Sequence, residues 1–153
     1  MATWFATVTG LRRWVARLLE QTAPTSHRQT RFRWRGDRDR GLREIEDASQ
    51  AARVFDVHVS PAHPRMSGHD TNWYETSGEI SIGYPTLDTW PDSAASDVDS
   101  IARALSSGDP VSAVPGVQLV GVDPAEPPEF EVDEEQPWMV ARIPIRVILE
   151  TTE

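Results

Sequence analysis

Three imidazoles within one short stretch are the first place to look for chemistry: His58, His63 and His69, with Asp70 beside the last. Zinc takes exactly these ligand types in closely paired spacings, and the pairing is absent here. The stretch reads instead as a polar loop after a strand, with His58 facing solvent. A small metal-dependent enzyme built on this cluster is the remote alternative. Glu131, Asp133, Glu134 and Glu135 form an acidic run. Carboxylates can do acid–base work or bind calcium, but a calcium loop needs a glycine and alternating ligands. The run reads as a solvated hairpin tip or an acidic interface. No phosphate-binding, dinucleotide, serine-nucleophile or metalloprotease motif occurs. The expectation is a protein with no catalytic residue, no metal and no cofactor.

Two further groups fit binding better than catalysis. Arg31, Arg33 and Arg35 alternate with Phe32 and Trp34, and Arg38 and Arg40 follow. Such interleaving can bind single-stranded nucleic acid. A solvated strand face, or an interface meeting acids on another chain, is the favoured reading. Trp73, Tyr74 and Trp90 are read as loop aromatics, which serve as interface anchors or fold back onto the core. Arg142 and Arg146 lie on the less apolar face of the last strand and join the candidate interface.

Charge is unevenly placed. The net charge is −9, which argues against a general nucleic-acid binder. All 15 basic residues are arginine. Seven of them, against two Asp, fall between Arg28 and Arg43, whereas nine acids face two Arg from Gln118 onward. One part of the chain is basic and another acidic, which suits head-to-tail pairing of copies. There are no cysteines, so disulfides and thiolate chemistry are excluded. No apolar run is long enough to span a membrane, and the arginine-interrupted N-terminus does not read as a signal peptide. Synthesis in the cytoplasm is expected.

The elements that must position these residues follow from periodicity. Trp4, Phe5, Val8, Leu11, Trp14, Val15, Leu18 and Leu19 recur at helical spacing. Thr3 is a candidate cap, Gly10 a weak point near which the helix could begin, and Pro24 its stop. Strands are predicted over Arg31–Arg35, Arg53–Val59, Gly78–Tyr84 and Val117–Val122, with a short one at Glu129–Val132. Leu42–Ala52 is either a short helix or an extended connection. Ser60–Ser77 reads as a long loop and Thr86–Ala95 as a turn-rich connection. A second helix is predicted from Ser96, with Ser96 and Asp99 as an approximate capping box, to Gly108. Asp123–Pro128 is an acidic, proline-rich turn. Met139, Ala141, Ile143, Ile145, Val147 and Leu149 alternate in the strongest strand signal of the chain. Pro144 lacks an amide donor and marks an edge or a bulge there.

The predicted fold is α+β: one mixed, mainly antiparallel sheet with two main helices on one face. It forms a single domain over residues 1–153, with long loops at about 60–77 and 123–137.

This order resembles the tail terminator (tail completion) proteins of long-tailed bacteriophages and related particles. The resemblance is carried by the helix Trp4–Leu19, the strand Arg53-Val-Phe-Asp-Val-His-Val59 and the strand Gly78-Glu-Ile-Ser-Ile-Gly-Tyr84. The helix Asp97-Val-Asp-Ser-Ile-Ala-Arg-Ala-Leu105 and the closing strand Trp138-Met-Val-Ala-Arg-Ile-Pro-Ile-Arg-Val-Ile148 complete it. It implies a non-enzymatic virion protein of the neck that assembles as a homo-oligomer, a hexameric ring. The ring caps the head-proximal end of the tail tube, ends its polymerisation and meets the head–tail connector. DNA passes through the lumen without specific binding, and an acidic lumen would not hold it. Another neck or head-completion adaptor, or a minor tail protein, is the alternative.

Overall fold

The architecture is organised by two strands of equal length. The computed structural model describes residues 4–22, 31–34, 52–60, 65–66, 73–85, 90–133 and 138–150. In chain order the elements are α1 (Trp4–Glu20), β1 (Arg31–Trp34), β2 (Ala52–Val59), β3 (Arg65–Met66) and β4 (Trp73–Pro85). There follow α2 (Trp90–Ser107), α3 (Pro110–Ala113), β5 (Val117–Val122), β6 (Glu129–Asp133) and β7 (Trp138–Glu150). β4 and β7 pair antiparallel along their whole length, from Trp73 opposite Glu150 to Pro85 opposite Trp138. β2 and β3 flank β4, and β5 and β6 flank β7 on the far side, all antiparallel. β1 lies outside β2 and is the one parallel partner. The sheet is therefore mixed and mainly antiparallel, as expected.

Strand alternation separates the two faces. Phe55, Val57, Val59, Ile80, Ile82, Ile143, Ile145 and Val147 are buried and share one face by register. α1 lies against β1 and β2, and α2 against β4 and β5, so both helices cover that face. Leu11, Val15, Ala16 and Leu19 of α1, and Ala94, Ile101 and Leu105 of α2, are buried there. Phe32 meets Phe55 edge-to-face, with ring centroids 6.4 Å apart. The described residues share one hydrophobic core.

Several boundaries differ from those predicted. α1 runs unbroken through Gly10, whose missing side chain faces Val114. The predicted loop Ser60–Ser77 contains β3, and its last residues form the first third of β4. Glu75 and Ser77 fall on the open face there, and Thr76 and Gly78 on the covered one. A segment whose inward positions run Tyr74, Thr76, Gly78 has little apolar alternation to read. α2 starts at Trp90, ahead of Ser96, because Pro91 occupies a first-turn position where no amide donor is needed. Ser96 is consequently internal, and its carbonyl accepts a hydrogen bond from the Ser100 hydroxyl at 3.1 Å. Within the predicted loop 123–137, β6 occupies Glu129–Asp133. Thr3, Pro24 and most of Leu42–Ala52 lie outside the described residues.

Pro144 is the sharpest correction. β7 lies between β4 and the β5–β6 side, so it is an interior strand and no edge. Proline survives there because the neighbouring strand is interrupted. The Asp123 amide donates to the Pro144 carbonyl at 2.9 Å, and the ladder resumes with Glu129 opposite Arg142. Pro124–Pro128 leaves the sheet between these points. The chain departs where it would otherwise need the amide that Pro144 lacks. The Asp123 carboxylate accepts from the Ala125 amide at 2.8 Å and turns the excursion.

Candidate functional interface

The open face of the sheet carries the charged residues of β4, β6 and β7 in matched positions. Arg146 makes a two-pronged contact to Glu75: Nε donates to Oε1, and a terminal nitrogen donates to Oε2 at 3.1 Å. This carboxylate raises the guanidinium pKa above its ordinary range. Arg142 reaches Glu131 of β6 at 2.9 Å and Glu79 of β4 at 3.7 Å. Glu79 also accepts from the Ser81 hydroxyl at 3.0 Å. Arg142 and Arg146 were candidates for contacts with another chain, but both are engaged within this one. They tie three strands together on the face opposite the two helices.

The two margins of the sheet are built differently. Beyond the short β1, the outer edge of β2 is closed by side chains. Arg12 Nε, from α1, donates to the Val57 carbonyl at 2.8 Å, and the Val57 amide donates to the Asp56 carboxylate at 2.9 Å. An Arg12 terminal nitrogen stands 3.9 Å from the same carboxylate. Exposed strand edges recruit other strands unless blunted, and this stretch is blunted. On the opposite side, no strand among the described residues pairs with the outer edge of β5 or β6. Leu119 is 47% exposed and Phe130 44%, and Glu129 and Glu131 are also exposed.

The other sequence candidates fall as follows. Arg31 and Arg33 sit on β1, the outermost strand of the blunted side. Trp73 and Tyr74 open β4 and are strand residues, not loop ones, and Tyr74 packs against the core. Trp90 is the first residue of α2. Asp133 ends β6. His58 is exposed on β2. Arg35, Arg38, Arg40, His63, His69, Asp70, Glu134 and Glu135 lie outside the described residues. Among the described residues no group of His, Asp or Glu is arranged to hold a metal ion. No described helix is long and apolar enough to cross a membrane.

Sequence reasoning missed two contributors. Arg12 read only as an interruption in an apolar helix, because its Val57 partner is distant in sequence. Gly108 read only as a helix stop. An added Cβ there would lie 2.7 Å from the Trp14 ring, so this glycine also seats α2 against α1.

No protein-family model matches the chain, and no curated protein matches it significantly.

Proposed function

We propose that this protein is a structural subunit that assembles head-to-tail into a ring, capping the head-proximal end of a phage tail tube and joining it to the head connector. The observation that carries the reading is the common core of the segments on which the resemblance rests. α1, β2, β4, α2 and β7 occur in the resembling order, and their apolar faces pack into one core. The charged candidates lend support as well. Arg142 and Arg146 bind strands together on the open face, and the exposure of Glu129, Phe130 and Glu131 along β6 supports a contact with another chain there. A ring needs two different surfaces on each copy, and the two margins of this sheet differ in just this way.

The test is mass photometry and electron microscopy of the purified protein, alone and with tail-tube protein. A ring that sits on tube ends and limits tube length is the expected result. A strict monomer that never engages a tube overturns the proposal. Capture of portal or connector protein without tube protein would move the assignment to another neck component.

A further inference from the structure

We infer that the outer face of α1 in one copy docks on the open sheet face of the next, with Arg13 and Arg17 meeting Glu129 and Glu131; this rests on the assembly reading above. On the helix, Leu11 and Val15 are buried toward the sheet. Arg13 and Arg17 follow them by two residues, about 200° around the helix, and both are exposed. Neither forms an ion pair among the described residues. Two like charges four residues apart oppose a helix, so within the monomer the pair is unfavourable.

The sheet carries the opposite surplus. The described side chains of β4, β6 and β7 place Glu75, Glu79, Glu129 and Glu131 on the open face against Arg142 and Arg146. Arg146 is taken by Glu75, and Arg142 is shared by Glu79 and Glu131. Glu129 forms no ion pair among the described residues, and both it and Glu131 are exposed. Spacing agrees with charge. Residues four apart on a helix are separated by about 6 Å along its axis, and residues two apart on a strand by about 6.5 Å. α1 laid along β6 therefore brings one arginine to each carboxylate.

Distance decides that the two halves come from different copies. A helix is about 10–12 Å thick with its side chains, so the outer face of α1 is farther than that from the open face of its own sheet. The screening length at physiological salt is about 8 Å. α1 also lies over β1 and β2, whereas β6 lies beyond β7. A second copy supplies both the charge and the spacing that each surface lacks. The contact joins two different surfaces, which generates rings or filaments.

The test is a charge exchange read by sedimentation velocity. One variant carries Arg13→Glu and Arg17→Glu, and another Glu129→Arg and Glu131→Arg. Each is expected to associate more weakly by on the order of tenfold or more. A chain carrying all four changes is expected to recover the wild-type assembly, since the facing charges are again opposite. Circular dichroism reports the fold. Glu131 also pairs with Arg142, so neutral pairs carry the test if a reversed chain unfolds: Arg13→Gln with Arg17→Gln, and Glu129→Gln with Glu131→Gln. Together these should weaken association by less than the product of their separate effects; the full product would overturn the contact. If wild type assembles and the reversed variants assemble equally well, this contact is wrong and the ring reading stands. If they dissociate and the fourfold variant does not recover, the two surfaces do not meet. If wild type is monomeric at all concentrations, both proposals fall.

Discussion

Val57 of β2 and Glu129–Asp133 of β6 both lie at margins of one sheet, and the chain treats them oppositely. At Val57 the outward amide and carbonyl are occupied by Asp56 and Arg12. Along β6 no described strand or helix closes the edge, and Phe130, Glu129 and Glu131 stand exposed. A sheet that only had to avoid sticking would blunt both sides. The stretch at Val57 is blunted, whereas β6 has no further strand outside it among the described residues and exposes acids.

The core beneath both margins sets the largest expected effect. Ile145 is fully buried and packs at the close β2–β4 approach beside Gly78. Ile145→Ala is expected to cost about 2–5 kcal/mol, measured by denaturant unfolding. A smaller loss would mean that the site collapses around the cavity.

Arg12→Ala comes next, because it strips the blunted margin. Leaving the Val57 carbonyl without its partner is expected to cost about 1–3 kcal/mol and to increase concentration-dependent association. If the variant loses neither stability nor solubility, the contrast between the margins disappears.

Gly10→Ala is expected to stabilise α1 by about 0.5–1 kcal/mol. The new methyl would meet Val114 Cγ1 at 3.7 Å, an ordinary contact distance. A fall in melting temperature would show that α1 and α3 pack more tightly than that distance allows.

Glu75→Gln should cost less, about 0.2–1 kcal/mol, since both partners are more than a third exposed. The loss should be smaller at high salt. A cost approaching that of Arg12→Ala would place the open face, and not the margin, at the centre of the polar design.

The smallest effect concerns Asp109, the N-cap of α3. The Ser112 hydroxyl, and then its amide, hold the Asp109 carboxyl below its ordinary pKa. A lowered folded-state pKa stabilises above the unfolded value of about 3.9 and ceases to do so as pH falls through the folded one. Asp109→Ala should therefore lower the melting temperature slightly at neutral pH and by less in acid. A penalty that grew in acid would contradict the sign.

How much of this was legible in the residues depended on where the partners lie. β7 could be read because Ile143, Ile145 and Val147 are all covered and their neighbours in sequence are all partly open. The start of β4 could not, because Thr76 and Gly78 follow Tyr74 at the inward positions and break the apolar alternation. Pro144 pointed correctly to an interruption but wrongly to an edge. The compensating excursion at Pro124–Pro128 lies some twenty residues earlier in the chain, where no local rule connects it to Pro144. The basic and acidic stretches were plain in composition. That β1 and β6, one from each stretch, lie on opposite sides of one sheet required the strand order, as did the pairing of Arg142 and Arg146.

The most direct test of the central claim is the native mass of the wild-type protein across a dilution series. Head-to-tail pairing that closes predicts one discrete oligomer, a hexamer by the resemblance, in equilibrium with monomer. A monomer at every concentration, or an open ladder of masses with no preferred size, would contradict it.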